Sequence, residues 1–463
     1  MKKALVLIDY IGCPRNMLLK LRIEDYLKAN GWSLASPSEI KSCDLVTFCT
    51  CGVTYPEQRR DFQIIRAVNE RIADLNDAPM FIVTGCLPPI NKKELVQIHN
   101  GPAFGPRDLD QFDILINATT RIADIPNRSQ VMTSERVKTV IERQKYVAVF
   151  KLLDMVQRTN ATIRQAYYKI FKRYLPHDPQ SILPFDHYQM GDDTWCVITS
   201  TGCLGNCSYC SIKTAKGRLK SRHPQEIIKE SRQGVGLGCK WIALIADDNG
   251  VYGRDIGTNL VALLRELSAI EGDFSILIDS LSPKDFIEFF DELMGVFTLG
   301  KIKRICLAMQ HVNPRILSSM NRSYDVDVLK QRLRTLATAL PTFAIDAHVI
   351  VGYPGETEQE FEELASFVEW LLKLNPSNEF KIFAFSANPG TVAAQLDGQI
   401  SAKTMRKRRY ELYQLRLGHK YKLRGEYVQE SPSTLLSQIA CAGLRTIEMS
   451  EKALSLLEWR LSR

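Results

Sequence analysis

The sequence predicts an α/β protein in which an open parallel α/β domain is followed by a partial (β/α)6 barrel of the TIM type and a helical C-terminal tail. Short apolar runs of strand length alternate with helical patterns, once before residue 127 and again after residue 190. A chain of 463 residues is also too long for a single core. We therefore expect four segments, which span residues 1–126, 127–190, 191–400 and 401–463.

The N-terminal segment contains four runs with the composition of buried parallel strands, at residues 4–8, 45–48, 80–83 and 114–116. A helical pattern follows the first run, because Leu19, Ile23 and Leu27 fall on one helix face. Asn30-Gly31 then provides a C-cap signal. This alternation indicates an open sheet with helices on its faces.

Six strand-like runs follow residue 190, at residues 195–200, 241–246, 274–278, 304–309, 343–350 and 380–385, with helical patterns such as 258–270 and 358–374 among them. Barrels of this kind carry their chemistry at the carboxyl ends of the strands. The polar and Gly/Pro-rich loops occur there, as Asp247-Asp248-Asn249, Gln310-His311, Gly352-Tyr353-Pro354-Gly355-Glu356 and Asn388-Pro389-Gly390-Thr391.

Two basic segments stand out from a mildly acidic remainder. Residues 136–173 contain ten Lys or Arg and two acids, and residues 403–424 contain nine Lys or Arg and one acid. Both lack Pro and are predicted to be helical, as is a stretch that Ser450 would cap. A basic helix can bind RNA or an acidic peptide, but solvated helix faces are the commoner explanation of such a run.

The composition is that of a soluble globular protein, with 45% apolar and 24% charged residues. No run approaches the ~18 apolar residues of a membrane span. The apolar stretch at the N-terminus is short and Asp9 interrupts it, so we interpret it as a strand rather than a signal sequence. Twelve cysteines without a secretory signal predict a reducing, cytoplasmic location.

The most specific motif is the CxxxCxxC loop Cys203-Leu204-Gly205-Asn206-Cys207-Ser208-Tyr209-Cys210, which follows the first predicted barrel strand. Three thiolates on a short loop can hold three corners of a [4Fe-4S] cube and leave one iron open. Zinc prefers four ligands, commonly as paired CxxC knuckles, and no second CxxC pair is present in the sequence. The spacing therefore favours an iron–sulfur cluster over a zinc site or buried core thiols.

A second cysteine group is predicted at the N-terminal sheet, because three of its strands lead to Cys13, Cys51 and Cys86. The carboxyl ends of parallel strands meet at one edge of a sheet, so these thiols can converge on a second cluster. Cys49 precedes Cys51 by two residues and would point the same way, which makes it a substitute ligand. The other cysteines are predicted to be structural: Cys43, Cys196, Cys239, Cys306 and Cys441.

Further short motifs accompany the two cysteine groups, namely Gly12-Cys13-Pro14-Arg15-Asn16, Thr50-Cys51, Thr84-Gly85-Cys86, Lys216-Gly217-Arg218, Ser221-Arg222, Tyr252-Gly253-Arg254-Asp255, Met309-Gln310-His311, Met320-Asn321-Arg322 and Ile350-Val351-Gly352-Tyr353-Pro354-Gly355-Glu356-Thr357. Through them the chain resembles the radical S-adenosylmethionine methylthiotransferase family over residues 1 to about 425, apart from residues 127–190. The residues of these motifs are more similar to those of the branch that modifies an aspartate of a ribosomal protein than to those of the tRNA-adenosine branch.

The resemblance implies a mechanism, two [4Fe-4S] clusters and S-adenosylmethionine as cofactors. The cluster of the CxxxCxxC loop would cleave S-adenosylmethionine to a 5′-deoxyadenosyl radical, which removes hydrogen from an unactivated carbon. The second cluster would deliver sulfur or methylsulfide to that carbon. A flavodoxin- or ferredoxin-type protein would donate electrons. The implied contacts to S-adenosylmethionine are Tyr209, Arg222, Asp248, Gln310, Ile350 and Gly352.

The chain departs from the family in three places. Cys49 stands where members usually have Asn, and Trp241 where many place a Glu that contacts the cofactor. Residues after Arg424 show no alternation typical of the C-terminal β-barrel called TRAM. We therefore expect a peptide, protein or small-molecule substrate rather than the standard tRNA. The alternatives are sulfur transfer alone, an electron-transfer role for the second cluster, a tRNA substrate, and a metal-stabilised RNA-binding protein without turnover.

Overall fold

Two parallel β-sheets dominate the computed structural model of the chain. It describes residues 2–8, 13–126, 194–375 and 377–424, and these belong to one compact unit. The predicted basic helices of residues 134–174 and the helix predicted after Ser450 lie outside the described residues.

The N-terminal sheet has five parallel strands in the order β2-β1-β3-β4-β5. Their bounds are β1 Lys3–Ile8, β2 Ser33–Leu34, β3 Leu45–Thr50, β4 Met80–Gly85 and β5 Ala103–Phe104. The three long strands are the three apolar runs predicted at residues 4–8, 45–48 and 80–83. Helices cover both faces of the sheet, which explains why these strands are apolar on both sides.

The helices of this part are α1 Pro14–Ala29, α2 Tyr55–Ile72, α3 Leu87–Ile90, α4 Lys92–Leu95 and α5 Gln111–Leu115, with 3₁₀ segments at Pro37–Ser42 and Ile122–Asp124. The predicted C-cap of α1 is present, since Asn30 caps the helix and Gly31 has a φ of +79°. The strand predicted at residues 114–116 is wrong. That stretch ends a helix whose Phe112 is buried while Ile114 is 77% exposed, a one-sided pattern that three apolar residues in a row conceal.

The second sheet has six parallel strands in the order β13-β12-β11-β10-β9-β6, which is the partial barrel that the sequence predicts. Their bounds are β6 Thr194–Ile198, β9 Trp241–Ile245, β10 Ser275–Leu281, β11 Ile302–Gln310, β12 Ala344–Val351 and β13 Glu379–Ala384. A two-stranded antiparallel hairpin, β7 Ser200–Thr201 with β8 Lys220–Ser221, joins β6 to the first barrel helix.

The barrel strands are linked by helices that pack outside the sheet. These are α6 Ile212–Lys216, α7 Pro224–Gly236, α8 Leu260–Ser268, α9 Pro283–Glu288, α10 Phe290–Phe297, α11 Pro314–Ser319, α12 Val326–Ala339 and α13 Glu358–Leu374, with 3₁₀ segments at Asn249–Val251 and Val392–Gln395. Helix α13 has the predicted bounds, because Thr357 and Glu360 form a capping box at its start. Helix α8 is shorter than predicted, since Asn259 caps it.

A long basic helix, α14 Ala402–Arg424, packs against α13 and β13. Its helical character agrees with the prediction for residues 403–424. Among the described residues, no helix combines the length and the apolar composition needed to cross a bilayer.

The N-terminal sheet and the barrel contact each other through the loops at their strand ends. Asn388 follows β13, accepts a hydrogen bond from the Gln58 side chain at 2.8 Å and donates one to the Val53 carbonyl at 2.8 Å. The Tyr55 backbone amide donates to Ser386 Oγ at 3.1 Å. These bonds bring the chain segment after Cys51 against the rim of the barrel.

Candidate metal centres

The barrel cysteines, Cys203, Cys207 and Cys210, lie on the loop between β7 and α6. The loop begins at Gly202, whose φ of +75° and close approach to the Arg218 carbonyl leave no room for a Cβ. Ser208 fastens its middle, since Ser208 Oγ lies 2.8 Å from both the Ser319 carbonyl and the Tyr353 hydroxyl. The loop is therefore held by the last residue of α11 and by the loop that follows β12.

Each barrel cysteine sulfur accepts a hydrogen bond. The Gly205 amide donates to Cys203 Sγ at 3.2 Å, the Ile212 amide donates to Cys210 Sγ at 3.5 Å, and Arg322 Nη1 donates to Cys207 Sγ at 3.5 Å. A Cβ placed on Gly205 would lie 3.3 Å from Cys203 Sγ and 3.9 Å from Cys207 Sγ. Cys203 Sγ and Cys207 Sγ therefore lie beside the same glycine. All three sulfurs accept hydrogen bonds of the kind that stabilise a cluster thiolate.

The barrel cysteines need a cationic partner to become thiolates. Burial raises the pKa of Cys203 to about 11 and the pKa of Cys210 to about 12. The guanidinium of Arg322 is buried beside Cys207 and supplies one positive charge. A bound iron–sulfur cluster fits this donor set, because iron ligation holds cysteine in the deprotonated form.

The N-terminal cysteines, Cys13, Cys51 and Cys86, follow β1, β3 and β4, as predicted from the sequence. Cys13 is the N-cap of α1 and Cys86 is the N-cap of α3. The Cys51 side chain hydrogen-bonds Cys13, which lowers the pKa of Cys13 to about 5 and raises that of Cys51. Cys86 interacts electrostatically with both. The structure therefore brings the three thiols together at one edge of the sheet.

Cys49 is placed differently from Cys51. It is fully buried in the core under α1 and packs with Ala4, Ile23 and Ile82. Burial raises the pKa of its thiol to about 12, and the charges that influence it are Lys20, Glu24 and Asp61 rather than another cysteine. Cys49 thus lies in the core and apart from the N-terminal cysteines, because the strand turns after Thr50 instead of continuing.

In the described part of the chain, no three His, Cys, Asp or Glu side chains converge tightly enough to bind a single metal ion. A [4Fe-4S] cube has other requirements, because each thiolate binds a different iron and the sulfurs stand correspondingly further apart.

Several of the residues predicted to contact S-adenosylmethionine lie near the barrel cysteines. Tyr209 belongs to the cysteine loop and packs against a buried apolar cluster that contains Ile350 of β12. Asp248 follows β9 and influences Cys203, and its pKa is raised to about 7 by burial and by the neighbouring Asp285 carboxylate. Gln310 ends β11 with a φ of +72°, a conformation that side chains rarely adopt outside functional sites.

The other two predicted contacts have structural partners. Arg222 is ion-paired with Glu230 at 2.6 Å and donates to the Ile198 carbonyl at 2.8 Å. Gly352 has a φ of +76° and packs directly against Met405 of α14. Trp241 begins β9, so it lies at the strand end opposite to the cysteine loop.

Asp247 connects the two cysteine groups, a role that the sequence analysis does not assign to it. Asp247 Oδ1 lies 2.9 Å from Lys216 Nζ and 3.4 Å from Arg15 Nε, and its Oδ2 accepts from the Gly202 amide at 2.8 Å. Arg15 also pairs with Asp279 at 3.2 Å. Gly202 precedes Cys203, whereas Arg15 and Lys216 exert their positive charge on Cys13. The motifs contain these residues, but spacing alone cannot pair them.

Two helices bring the cysteine groups close. Helix α3, which follows Cys86, packs against α6, which follows Cys210. Cys86, Ile90 and Ala215 form a small buried cluster at this contact. The barrel cysteines and the N-terminal cysteines are therefore neighbours at the contact between α3 and α6.

Two family matches coincide with these two parts of the chain. Residues 197–368 match the Radical SAM superfamily, and residues 5–104 match a family described as "Uncharacterized protein family UPF0004". A probable threonylcarbamoyladenosine tRNA methylthiotransferase of Pyrococcus horikoshii is 28% identical over 93% of this chain and 88% of its own length. The ribosomal protein uS12 methylthiotransferase RimO of Dictyoglomus thermophilum is 29% identical over 89% of this chain and 82% of its own length.

The chain is homologous to the radical S-adenosylmethionine methylthiotransferases. The resemblance noted from its motifs is thereby confirmed, and with it the assignment as a sulfur-group transferase that uses S-adenosylmethionine and [4Fe-4S] chemistry. Relatives from both branches match this radical S-adenosylmethionine enzyme at similar identity. The preference for the ribosomal-protein branch therefore stays a prediction.

Solved structures support the fold. The radical S-adenosylmethionine methyltransferase TsrM of Kitasatospora setae, solved with cobalamin and a [4Fe-4S] cluster, aligns with a TM-score of 0.53 and 15% identity over 85% of this chain and 77% of its own. At that identity the likeness concerns the fold alone. It confirms the predicted class of a parallel α/β domain joined to a TIM-like barrel.

Proposed function

We propose that this chain inserts a methylthio group at an unactivated carbon–hydrogen bond, using two [4Fe-4S] clusters and S-adenosylmethionine. The barrel cysteines would hold one cluster and the N-terminal cysteines the other. The acceptor would be a peptide, a protein side chain or a small metabolite, and the electron donor a protein of the flavodoxin or ferredoxin type. The four segments drawn from the sequence remain our proposal for the domain boundaries.

The observation that carries the proposal is the proximity of the two cysteine groups. The Cys86 side chain packs with Ala215 of α6, and Asp247 binds both the backbone beside Cys203 and the cations beside Cys13. A reaction in which a carbon radical must meet a sulfur donor needs both centres within reach of one substrate. Two thiol groups in separate, distant sites would not support such a transfer.

The described residues supply orientation and a dry setting for this chemistry. When bound, the two clusters would supply the electron for cleavage of S-adenosylmethionine and the sulfur for transfer. Burial of Cys51 and Cys86 keeps the N-terminal site out of bulk water. Tyr209 of the cysteine loop packs against the apolar cluster of Ile350, and Asp248 offers a carboxylate at the end of β9. These groups would hold S-adenosylmethionine between the loop and the strand ends.

Two of the nine basic residues of α14 pair with carboxylates of the protein. Arg408 is buried and pairs with Glu356 and Glu358, while Lys407 pairs with Glu358 and Glu411. Positive charge that is neutralised within the protein is not available for phosphate. The relatives nevertheless include a tRNA methylthiotransferase and a ribosomal protein methylthiotransferase, so tRNA stays the alternative acceptor.

Two further alternatives concern the second centre. The enzyme could transfer sulfur alone, or it could use the N-terminal cluster for electron transfer. Homology to an enzyme family disfavours the fourth candidate, a metal-stabilised RNA-binding protein without turnover. The reduced thiols among the described cysteines are compatible with our expectation of a cytoplasmic location.

Anaerobic turnover with dithionite and methyl-labelled S-adenosylmethionine in extract of the source cell tests the proposal. We expect one acceptor to gain a labelled methylthio group in place of hydrogen, identified by mass spectrometry. Gain of sulfur without the labelled methyl group would favour sulfur transfer, and label in tRNA would favour the tRNA alternative. Absence of any sulfur-containing product would sink methylthio transfer.

Cysteine variants separate the two centres. Cys207→Ala removes a barrel ligand, so we expect it to abolish formation of 5′-deoxyadenosine. Cys51→Ala leaves the barrel cysteines in place, so we expect cleavage of S-adenosylmethionine to persist while methylthio transfer is lost. Cys43 lies in the core away from both groups, and Cys43→Ala should retain both activities. Liquid chromatography of the products measures each outcome. Transfer by Cys51→Ala at the wild-type rate would contradict the assignment of the N-terminal site.

A further inference from the structure

We infer that Lys216, a residue of the barrel, is the positioning residue that raises the reduction potential of the cluster held by the N-terminal cysteines, and that Asp247 anchors it there. The inference rests on the proposed function, since it requires that cluster. It adds a role for a side chain that belongs to neither set of thiol ligands.

Lys216 is a barrel residue whose ammonium group acts electrostatically on the N-terminal cysteines. It ends α6, the helix that follows the barrel cysteines. Its side chain is only 13% exposed, and Nζ lies 2.9 Å from Asp247 Oδ1. Lys216 interacts electrostatically with Cys13 and Cys86. Its neighbour Ala215 packs against Cys86, which fixes the position of this end of the helix.

Asp247 holds Lys216 and a second cation in place. Its side chain is 1% exposed and also binds Arg15, which lies on α1 two residues after Cys13. The Gly202 amide binds the other oxygen of Asp247. The carboxylate therefore fixes the distance between Lys216 and the N-terminal cysteines from the barrel side.

A fixed positive charge beside a cluster favours the reduced form, because reduction adds a negative charge. The effect is strong where solvent is excluded, since the effective dielectric constant there is low. Lys216 meets both conditions, as it is largely buried and charged against Asp247. Asp247 acts with the opposite sign from nearly the same place. Replacing Lys216 by an uncharged residue should therefore lower the reduction potential, and neutralising Asp247 while it still holds Lys216 should raise it.

The test is a redox titration of the full-length chain, followed by electron paramagnetic resonance. The background carries Cys203→Ala, Cys207→Ala and Cys210→Ala, so the signal comes from the N-terminal cluster. We expect Lys216→Met to lower the midpoint potential. Asp247→Asn keeps an oxygen that accepts from Lys216 but loses the negative charge, so we expect it to raise the potential. Lys216→Arg retains the charge and should stay close to the background value. Lys220→Met replaces an exposed lysine four residues further on and should change nothing.

The outcomes distinguish this inference from the proposed function. A background chain without iron, or a wild-type chain that binds about four rather than about eight iron atoms, would refute the second cluster itself. With the cluster present, a potential for Lys216→Met at or above the background value would refute the role of Lys216. A purely structural role would shift both variants in the same direction. If Lys216→Met does not assemble the cluster, Lys216→Gln, which keeps a polar end beside Asp247 but no charge, decides, since the inference requires a potential below the background value.

Discussion

Glu356 makes three buried polar contacts at the rim of the barrel. Its carboxylate lies 3.1 Å from His311 Nε2, accepts from the Gly352 amide at 2.6 Å and pairs with Arg408 of α14. Both His311 and Glu356 are inaccessible to solvent. The glutamate of the motif Gly352 to Thr357 therefore stabilises the fold.

Glu356→Ala should lower the free energy of unfolding by about 3–5 kcal/mol, because it leaves the buried Arg408 charge without its buried partner. Chemical denaturation monitored by circular dichroism measures the loss. The control is Glu358→Ala, which removes a half-exposed partner of the same arginine and should cost about 0–1 kcal/mol. Equal losses in the two variants would contradict the assigned role of Glu356.

Cys49 and Cys51 provide a matched pair of cysteines. Cys49→Ala removes a buried sulfur from the core, so we expect a loss of about 1 kcal/mol in stability with unchanged iron content. Cys51→Ala should lose about half of the iron, since one of two clusters would lack a ligand. Iron and sulfide assays on anaerobically reconstituted protein check both. Loss of iron in Cys49→Ala but not in Cys51→Ala would reverse the assignment.

His348 predicts a pH dependence of stability. Burial lowers its pKa to about 3, and its Nε2 lies 3.2 Å from Cys306 Sγ. Below about pH 6.5 the unfolded chain binds a proton at His348 and the folded chain does not. The free energy of unfolding is therefore fully retained above pH 6.5 and falls as the pH drops toward 3. With decreasing pH, the free energy of unfolding of the wild type should fall more steeply than that of His348→Gln, by up to about 1.4 kcal/mol per pH unit. Denaturation at pH 4.5, 5.5 and 7 compares them, and parallel curves would contradict the prediction.

At the scale of elements, the contact between the loop after β12 and α14 depends on one glycine. A Cβ on Gly352 would overlap Met405 of α14, and its φ of +76° is unfavourable for other residues. Gly300 has a similar φ of +84° but nothing within 4 Å of the Cβ position. The two positions therefore differ in crowding and not in backbone conformation.

Gly352→Ala should destabilise the protein by about 1–2 kcal/mol from backbone conformation and about 1–3 kcal/mol more from overpacking. Gly300→Ala should show only the first part. Adding Met405→Ala to Gly352→Ala should recover part of the second loss, because the overlap disappears. A double-mutant cycle in urea measures this coupling. Simple additivity of the two substitutions would contradict the proposed overlap.

The sequence predicted the long elements well. All six barrel strands and three strands of the first sheet were predicted, because strands buried on both faces are continuous apolar runs. The failures are short elements. The two-residue strands Ser33–Leu34 and Ala103–Phe104 carry no periodicity, and residues 114–116 look like a strand in composition alone.

The candidate site was predicted in part. The positions of the N-terminal cysteines follow from the rule that parallel strands end at one edge, since it constrains residues that are far apart in sequence. Asp247, Lys216 and Arg15 could not be paired in this way. Their contacts depend on how the N-terminal sheet packs against the barrel, and a single sequence contains no such distances.

At the scale of the whole molecule, the described residues form one unit in which the two sheets share buried hydrogen bonds. Asn388→Ala would leave the Gln58 side chain and the Val53 carbonyl without this partner, at a cost of about 1–3 kcal/mol. Because the bonds join the sheets, β3 and β13 should both lose protection in hydrogen exchange. Asn76→Ala, in the exposed turn after α2, serves as the control for loss of an asparagine. Loss confined to β13 would show that the sheets unfold independently.

The packing of α3 against α6 sets the separation of the two thiol groups through two short, rigid pieces of backbone. An acceptor cannot widen that gap by pushing the pieces apart without breaking buried contacts. The distance between the two cysteine groups is therefore set by the fold, before any acceptor arrives.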